Sequence, residues 1–544
     1  MKKTFKFFMT AVTAVALMAS CSSEEVAPIP EGPGGDKGEV VEGEPTYATF
    51  SFNVQNNVKT KASSITDASE TDAINDIRLL IFRTGNSSTC EVNEVYSNPS
   101  APDTDKTKTV LLSSGTKKVF VIVNAEGLGT ANPFDKAKII PNTTTLAQFY
   151  KASEIDLGTT TAGKVTAVDI TKLVDTSAGY IMSNPADANS QYVLVGGISE
   201  SDSRTAAPGT ENMNHFKIEV LRTVAKAKIY YNEDKTLETT DGVGKITASS
   251  LKYGIKNINR SVNLFQLFSG DMVAAGSTPW APYYTQTESW SAADKEDLSK
   301  YAPFYHREYL MKHTVTKKGT AADNAPSIYF TENTSQIQRR GNSTYAAIEA
   351  IFAPKAGKYV PKDGIKYNAT SGVATITPST ADVAASGQTL YMLLEANGTT
   401  GLADGMLFVD VKDAKLAAYA AQYDHTGTAT WDGTYANIPV TFNPFETTGS
   451  GNTGTPLSTV KTYADGKCYY RLNFGIGDML TNSMDYGVWR NYHYQANITQ
   501  FGGIGDNLPE ELDIDPEIPL GERTHVTATI IVKDWTDGNS TIIL

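Results

Sequence analysis

Apolar and polar positions alternate along much of this chain with the two-residue period of β-strands. Ala48, Phe50, Phe52 and Val54 are apolar, while Thr49, Ser51 and Asn53 between them are polar. Such a segment presents one face to a core and the other to solvent. Further runs at 76–83, 117–124, 216–231, 344–352, 406–411, 468–474, 491–499 and 525–532 are rich in Val, Ile, Tyr, Phe and Thr, residues that suit a pleated, half-buried surface. The spacers between them carry Gly, Asn, Asp, Pro and Ser, the residues of turns. Only 145–153 and 410–423 carry the periodicity of short helices. The pattern predicts a mainly β fold, built as open antiparallel sandwiches rather than as a single barrel.

The first residues follow a different pattern. Lys2, Lys3 and Lys6 precede an apolar run from Phe7 to Met18, which small residues then close. A basic start with a short apolar stretch predicts a signal peptide over 1–21, and the run falls short of the ~20 residues that a membrane-spanning helix needs. Leu17-Met18-Ala19-Ser20-Cys21 resembles a lipobox, in which the cysteine is acylated, by palmitate among other chains, and becomes the new N-terminus. Ser22-Ser23-Glu24-Glu25 resembles the signal that sends lipoproteins to the outer face of the outer membrane. From 22 to 45 the chain is rich in Pro, Gly and acidic residues, too poor in apolar surface to order itself, and is expected to act as a tether.

Length and charge narrow the picture. At 544 residues and 40% hydrophobic content the chain is long enough for two domains, and the continuous run 216–231 marks a boundary where one strand passes from one sandwich to the next. A net charge of −13 without a basic run argues against a nucleic-acid partner. Cys90 and Cys468 are the only cysteines besides Cys21, so no disulfide framework is available. The six histidines are scattered, and no zinc motif, nucleophile elbow or phosphate loop occurs. No catalytic residue, metal or cofactor is expected. The acidic stretch 507–521 reads as a solvated loop. Trp280, Tyr283, Tyr284 and Trp290 begin an aromatic belt that offers a possible binding surface for sugars or a neighbouring subunit.

Several segments together carry a family likeness. Leu221-Arg222-Thr223-Val224-Ala225-Lys226, Thr344-Tyr345-Ala346-Ala347-Ile348-Glu349-Ala350, Cys468-Tyr469-Tyr470-Arg471-Leu472-Asn473, Trp489-Arg490-Asn491-Tyr492-His493-Tyr494 and Val532-Lys533-Asp534-Trp535 resemble strands of the fimbrillins, the major fimbrial subunits of Gram-negative oral and gut anaerobes, and of their Mfa-like branch in particular.

The resemblance implies two tandem transthyretin-like β-sandwiches, here 62–220 and 221–535. It implies export as an outer-membrane lipoprotein, cleavage by a trypsin-like protease and polymerisation into an extracellular fimbrium that supports adhesion. In that scheme 46–61 is a removable first strand, with Phe50, Phe52 and Val54 facing the core and the cut falling between Lys61 and Ala62. Residues 536–544 are the candidate donor strand, anchored by Ile542, Ile543 and Leu544. β-Strand addition of this kind draws affinity from main-chain hydrogen bonds and specificity from alternate side chains. The partners implied are further copies of the chain, other fimbrial subunits, the outer membrane before processing, and a host or bacterial surface receptor. Lys61 departs from the arginine that precedes the cut in family members processed by Arg-specific proteases. The competing reading is a monomeric, surface-exposed lipoprotein that binds glycans, which would need neither a removable strand nor a strand-like tail.

Overall fold

The structure is a computed structural model that describes residues 43–54, 74–85, 88–97, 107–162, 164–175, 179–185, 190–265, 305–306, 313–319, 327–333, 340–383, 387–394, 400–423, 431–445, 460–474, 488–509, 512, 526–534 and 542–543. Strands dominate, as the alternation predicts.

The N-terminal part is built from β1 (Pro45–Val54), β2 (Asp76–Arg83), β3 (Cys90–Ser97), β4 (Thr107–Ser113), β5 (Gly115–Val123), α1 (Leu146–Ala152), β6 (Met182–Ser183), α2 (Glu200–Thr205) and β7 (His215–Arg222). The strands join in the order β3-β2-β5-β6-β7-β1-β4, with Gln191–Leu194 pairing β5 as well. β7 pairs with β1 as far as Val220 and with β6 at Leu221 and Arg222, so it links the two halves of the sheet. One apolar core fills this part, from Ala48, Phe50 and Phe52 through Leu79, Ile81, Phe120 and Phe149 to Val224. α1 has a full capping box, with the Thr145 side chain accepting from Gln148 and the Gln148 side chain accepting from the Thr145 amide.

A bend at Thr223 separates β7 from β8 (Val224–Tyr231), which enters a second core beginning at Ala225. This core lies between two sheets. In one, β8 pairs parallel with β13 (Tyr492–Phe501), which pairs antiparallel with β14 (Val526–Asp534), itself edged by β15 (Ile542–Ile543). β10 (Ile328–Thr331) and Thr316–Lys317 also pair with β8. In the other sheet, β11 (Tyr345–Pro354) runs between β9 (Lys252–Lys256) and β12 (Lys467–Asn473). Most pairings are antiparallel, but β1–β7, β8–β13 and the pairing of Thr316–Lys317 with β8 are parallel.

Between β11 and β12 the chain makes a third apolar core, which periodicity alone did not separate from the second. It gathers Val360, Ile365, Tyr367, Leu393, Phe408 and Trp431 around the alanine-rich face of α3 (Val411–Gln422). The strand expected over 406–411 shrinks to Leu407–Phe408, because the Asp410 carboxylate accepts from the amides of Lys412 and Asp413 and starts the helix at Val411. The expected run 216–231 is likewise two strands, broken at Thr223.

The two sandwich cores meet at a buried polar junction. Arg490 donates to the carbonyls of Asn263 and Leu264 at 2.6 Å each and pairs with Glu332 at 2.8 Å. The Arg222 guanidinium donates to Asn491 Oδ1 at 3.0 Å.

After β13 the chain crosses to the edge of β12 away from β11. Tyr470 and Tyr463 hydroxyls donate to the carbonyls of Gly503 and Gly505, Asp506 exchanges two main-chain bonds with Tyr469, and Arg471 Nη1 donates to Leu512 O at 3.1 Å. Leu512 is buried against Tyr345 and Ala347. Within the stretch expected to be a solvated acidic loop, Leu512 is therefore an apolar anchor that the acids around it in the sequence conceal; 510, 511 and 513–521 lie outside the described residues.

Candidate assembly site

β1 is an interior strand. On one side Thr49 to Val54 run parallel to His215 to Val220 of β7, and on the other Pro45 to Ser51 run antiparallel to Ser113 to Thr107 of β4. Its even-numbered side chains Thr46, Ala48, Phe50 and Phe52 are buried, with Phe50 fully enclosed. Burying each phenylalanine is worth about 1.5–3 kcal/mol. Val54 ends the strand opposite Val220.

The opposite face of β1 is held by polar contacts. Thr49 Oγ1 lies 2.9 Å from Thr109 Oγ1 and accepts from Ser203 of α2 at 2.8 Å. Ser51 Oγ is 2.7 Å from His215 Nε2. Asn214 binds the start of the strand, its amide donating to Thr46 Oγ1, Tyr47 O and Val195 O at 3.0, 3.1 and 2.8 Å, while its Oδ1 accepts from Val195 N at 2.9 Å. Asn214 is fully buried with φ of 52°, a left-handed conformation that asparagine tolerates. This residue was missed in the sequence; an Asn directly before an apolar strand is its only signal.

Among the described residues β4, the far wall of the site, has β1 as its sole strand neighbour in the sheet. A second fastening holds it. The Glu91 carboxylate accepts from Ser113 N at 2.6 Å and Ser113 Oγ at 2.8 Å, and pairs with the buried Lys117 ammonium at 2.9 Å. Burial pushes the Glu91 carboxyl upward, but these bonds and the Lys117 charge outweigh it and hold the group below the usual glutamate range. Burial raises the Cys90 thiol to about 12, which keeps it protonated and inert.

At the other end of the chain, β15 pairs Ile542 with Val532 and Ile543 with Ile531 of β14. The structure thus brings Phe50 and Phe52 into one core, and places Ile542 and Ile543 on a separate sheet edge. Cys21, Lys61, Ala62, Leu544, Trp280, Tyr283, Tyr284 and Trp290 lie outside the described residues. Among the described residues, no group of His, Cys, Asp and Glu could hold a metal ion, and no helix is long and apolar enough to cross a membrane.

Two family models match. That for the major fimbrial subunit protein FimA covers 48–222, which is β1 through β7, and that for the C-terminal part of the type IV major fimbrial subunit, fimbrillin, covers 461–541. No curated protein matches the chain. Similar solved structures include a fimbrilin, FimA, from Porphyromonas gingivalis, with 12% identity, TM-score 0.39, and coverage of 92% of this chain and 100% of that one. The tip fimbrial protein Mfa3 of the same organism has 12% identity and TM-score 0.36, over 89% of this chain and 99% of that one. A fimbrial assembly protein from Parabacteroides distasonis has 10% identity and TM-score 0.24, over 58% of this chain and 82% of that one. Matched over 48–222 and again over 461–541, the chain is similar to the fimbrillins, the major fimbrial subunits, both at its first sandwich and at its closing strands.

Proposed function

We propose that this chain is a structural fimbrial subunit that polymerises by exchanging its first strand. It is exported as a lipoprotein acylated at Cys21 and held to the outer membrane until a protease cuts after Lys61. β1 then leaves, and the C-terminal strand of a neighbouring subunit takes its place, with Ile542, Ile543 and Leu544 filling the pockets that Phe50 and its neighbours vacate.

The observation that carries this reading is the place of β1. Among the described residues it precedes every other strand in the sequence, yet it lies inside the sheet between β7 and β4. Its departure would leave two strand edges facing each other across roughly 10 Å, the width of one missing strand. An empty apolar slot of that width is a strand acceptor. The Glu91 fastening of β4 supports the same reading, since it would keep the far wall in position after β1 is gone.

Electron microscopy of the purified chain before and after limited trypsin treatment tests the proposal. Polymers should form only after cleavage, with Ala62 as the new N-terminus, and a Lys59→Gln, Lys61→Gln double variant should remain a folded monomer. A polymer whose N-terminus lies ahead of Phe50 would show that β1 is retained.

A further inference from the structure

The direction of the strands has a mechanical consequence. β1 runs parallel to β7, and β7 continues through Thr223 into β8. A pull on the chain ahead of Pro45 draws β1 toward its own N-terminal end, while β7 is drawn through β8 toward its C-terminal end. The two strands are then forced to slide past each other. All main-chain bonds from Thr49 opposite His215 to Val54 opposite Val220 resist together, as do those between β1 and β4. Bonds loaded side by side must fail at once, so the barrier to forced extraction is high.

The C-terminal hairpin faces the opposite situation. Asp534, where the chain leaves β14, lies opposite Tyr492, and His493 beside it lies opposite Lys226 near the start of β8. Load therefore enters this sheet and leaves it at the same end. A pull on the C-terminal end first frees the two pairs of β15, then bears on the Tyr492–Asp534 pair and on each following pair in turn, down to Phe501–Val526. Bonds loaded one after another give way at low force. Peeling has a defined stop, because Tyr469, Tyr470 and Arg471, which bond to residues 503–512, belong to the other sheet of this sandwich.

We propose that the fold is a directional clamp, in which the slot of β1 is loaded in shear and the C-terminal hairpin in peel, so that tension along the chain frees β14 first and β1 last. Its use in a fimbria rests on the assembly reading: a strand seated in that slot would hold against axial force, while the C-terminal arm would come free without disturbing the N-terminal sandwich.

Single-molecule force spectroscopy on the full chain tests this without any polymer, so a failed clamp and a failed assembly scheme are distinguishable. Held by its two ends, the chain should first lengthen at low force by at most roughly 77 Å, the fully extended length of 513–534 at ~3.5 Å per residue. A rupture at several-fold higher force should follow, since forced unfolding follows the unfolding barrier. In a Cys21→Ser background, a handle attached through Ser63→Cys bypasses β1 and leaves the fold unchanged; the high-force event should then disappear. Identical force traces from the two attachments, or β1 leaving before β14, would overturn the proposal.

Discussion

Phe50 of β1 lies directly across from Phe216 of β7, their ring centroids 5.7 Å apart and their planes inclined by 29°. This stacked pair joins the strand proposed to leave with the strand proposed to stay. Phe50→Ala should destabilise the uncut chain by about 3–5 kcal/mol, the cost of a buried phenylalanine-sized cavity. Urea denaturation measures it. Polymers raised from the variant should nevertheless melt like those of the natural chain, since cleavage removes residue 50 from both. A difference that persists after cleavage would mean that β1 is not released.

Asn214 should be nearly irreplaceable. Asn214→Ala removes the bonds to Thr46, Tyr47 and Val195 and places a Cβ-bearing residue with no compensating polar group in a left-handed conformation, for a loss of more than ~2 kcal/mol. Asn214→Gly removes the same bonds but relieves the backbone, so it should be the milder change by about 1 kcal/mol. Thermal melts of the two variants give the order, and equal losses would assign the whole effect to the hydrogen bonds.

Glu91 should make the N-terminal sandwich sensitive to acid. Its carboxyl titrates below the usual range in the folded chain, so its contribution is complete above the unfolded value of ~4.3 and is lost as pH falls through the folded one. Glu91→Gln strands the buried Lys117 charge and should cost about 3 kcal/mol at neutral pH. The gap between variant and natural chain should narrow steadily below pH ~4.3. A gap that is constant with pH would show that the ion pair contributes nothing.

Cys21 is expected to carry the lipid anchor. Mass spectrometry of the membrane fraction should find an acylated cysteine as the N-terminal residue, and Cys21→Ser should move the chain out of that fraction. An unmodified N-terminus in membranes would remove the anchor from the scheme.

The strands were legible where one face is buried and the other wet. Asp76–Arg83 reads correctly to the residue, and β12, β13 and β14 fall within two residues of the apolar runs that predict them. β3 and β4 were not read, because their polar and charged residues, Glu91 and Asn93 among them, point into buried hydrogen-bond networks rather than into water. Periodicity reports which face is buried but not which strands are neighbours. The parallel pairing of β1 with β7 joins residues more than 160 positions apart and could only be seen in three dimensions. For the candidate site, alternation picked out Phe50 and Phe52, while the polar fastenings at Asn214, Ser203 and Glu91 left no periodic trace.

The C-terminal tail gives the last prediction. Among the described residues β15 is joined to β14 through Ile542 opposite Val532 and Ile543 opposite Ile531, and truncation after Trp535 leaves the long ladder between β13 and β14 in place. The truncated chain should keep its melting temperature to within a few degrees, as expected for a loss below ~1 kcal/mol in a domain of this size. It should still be cut by trypsin, but it should no longer extend polymers, because the aliphatic residues proposed to fill the β1 slot are gone. Ile542→Asp together with Leu544→Asp should fail in the same way, since each carboxylate would have to enter the apolar slot unpaired, at a cost of at least ~2 kcal/mol apiece. Size-exclusion chromatography of the trypsin-treated proteins separates the outcomes. Polymers of normal length from the truncated chain would assign the donor role to β14 instead, and a collapsed melting temperature would make the tail part of its own sandwich.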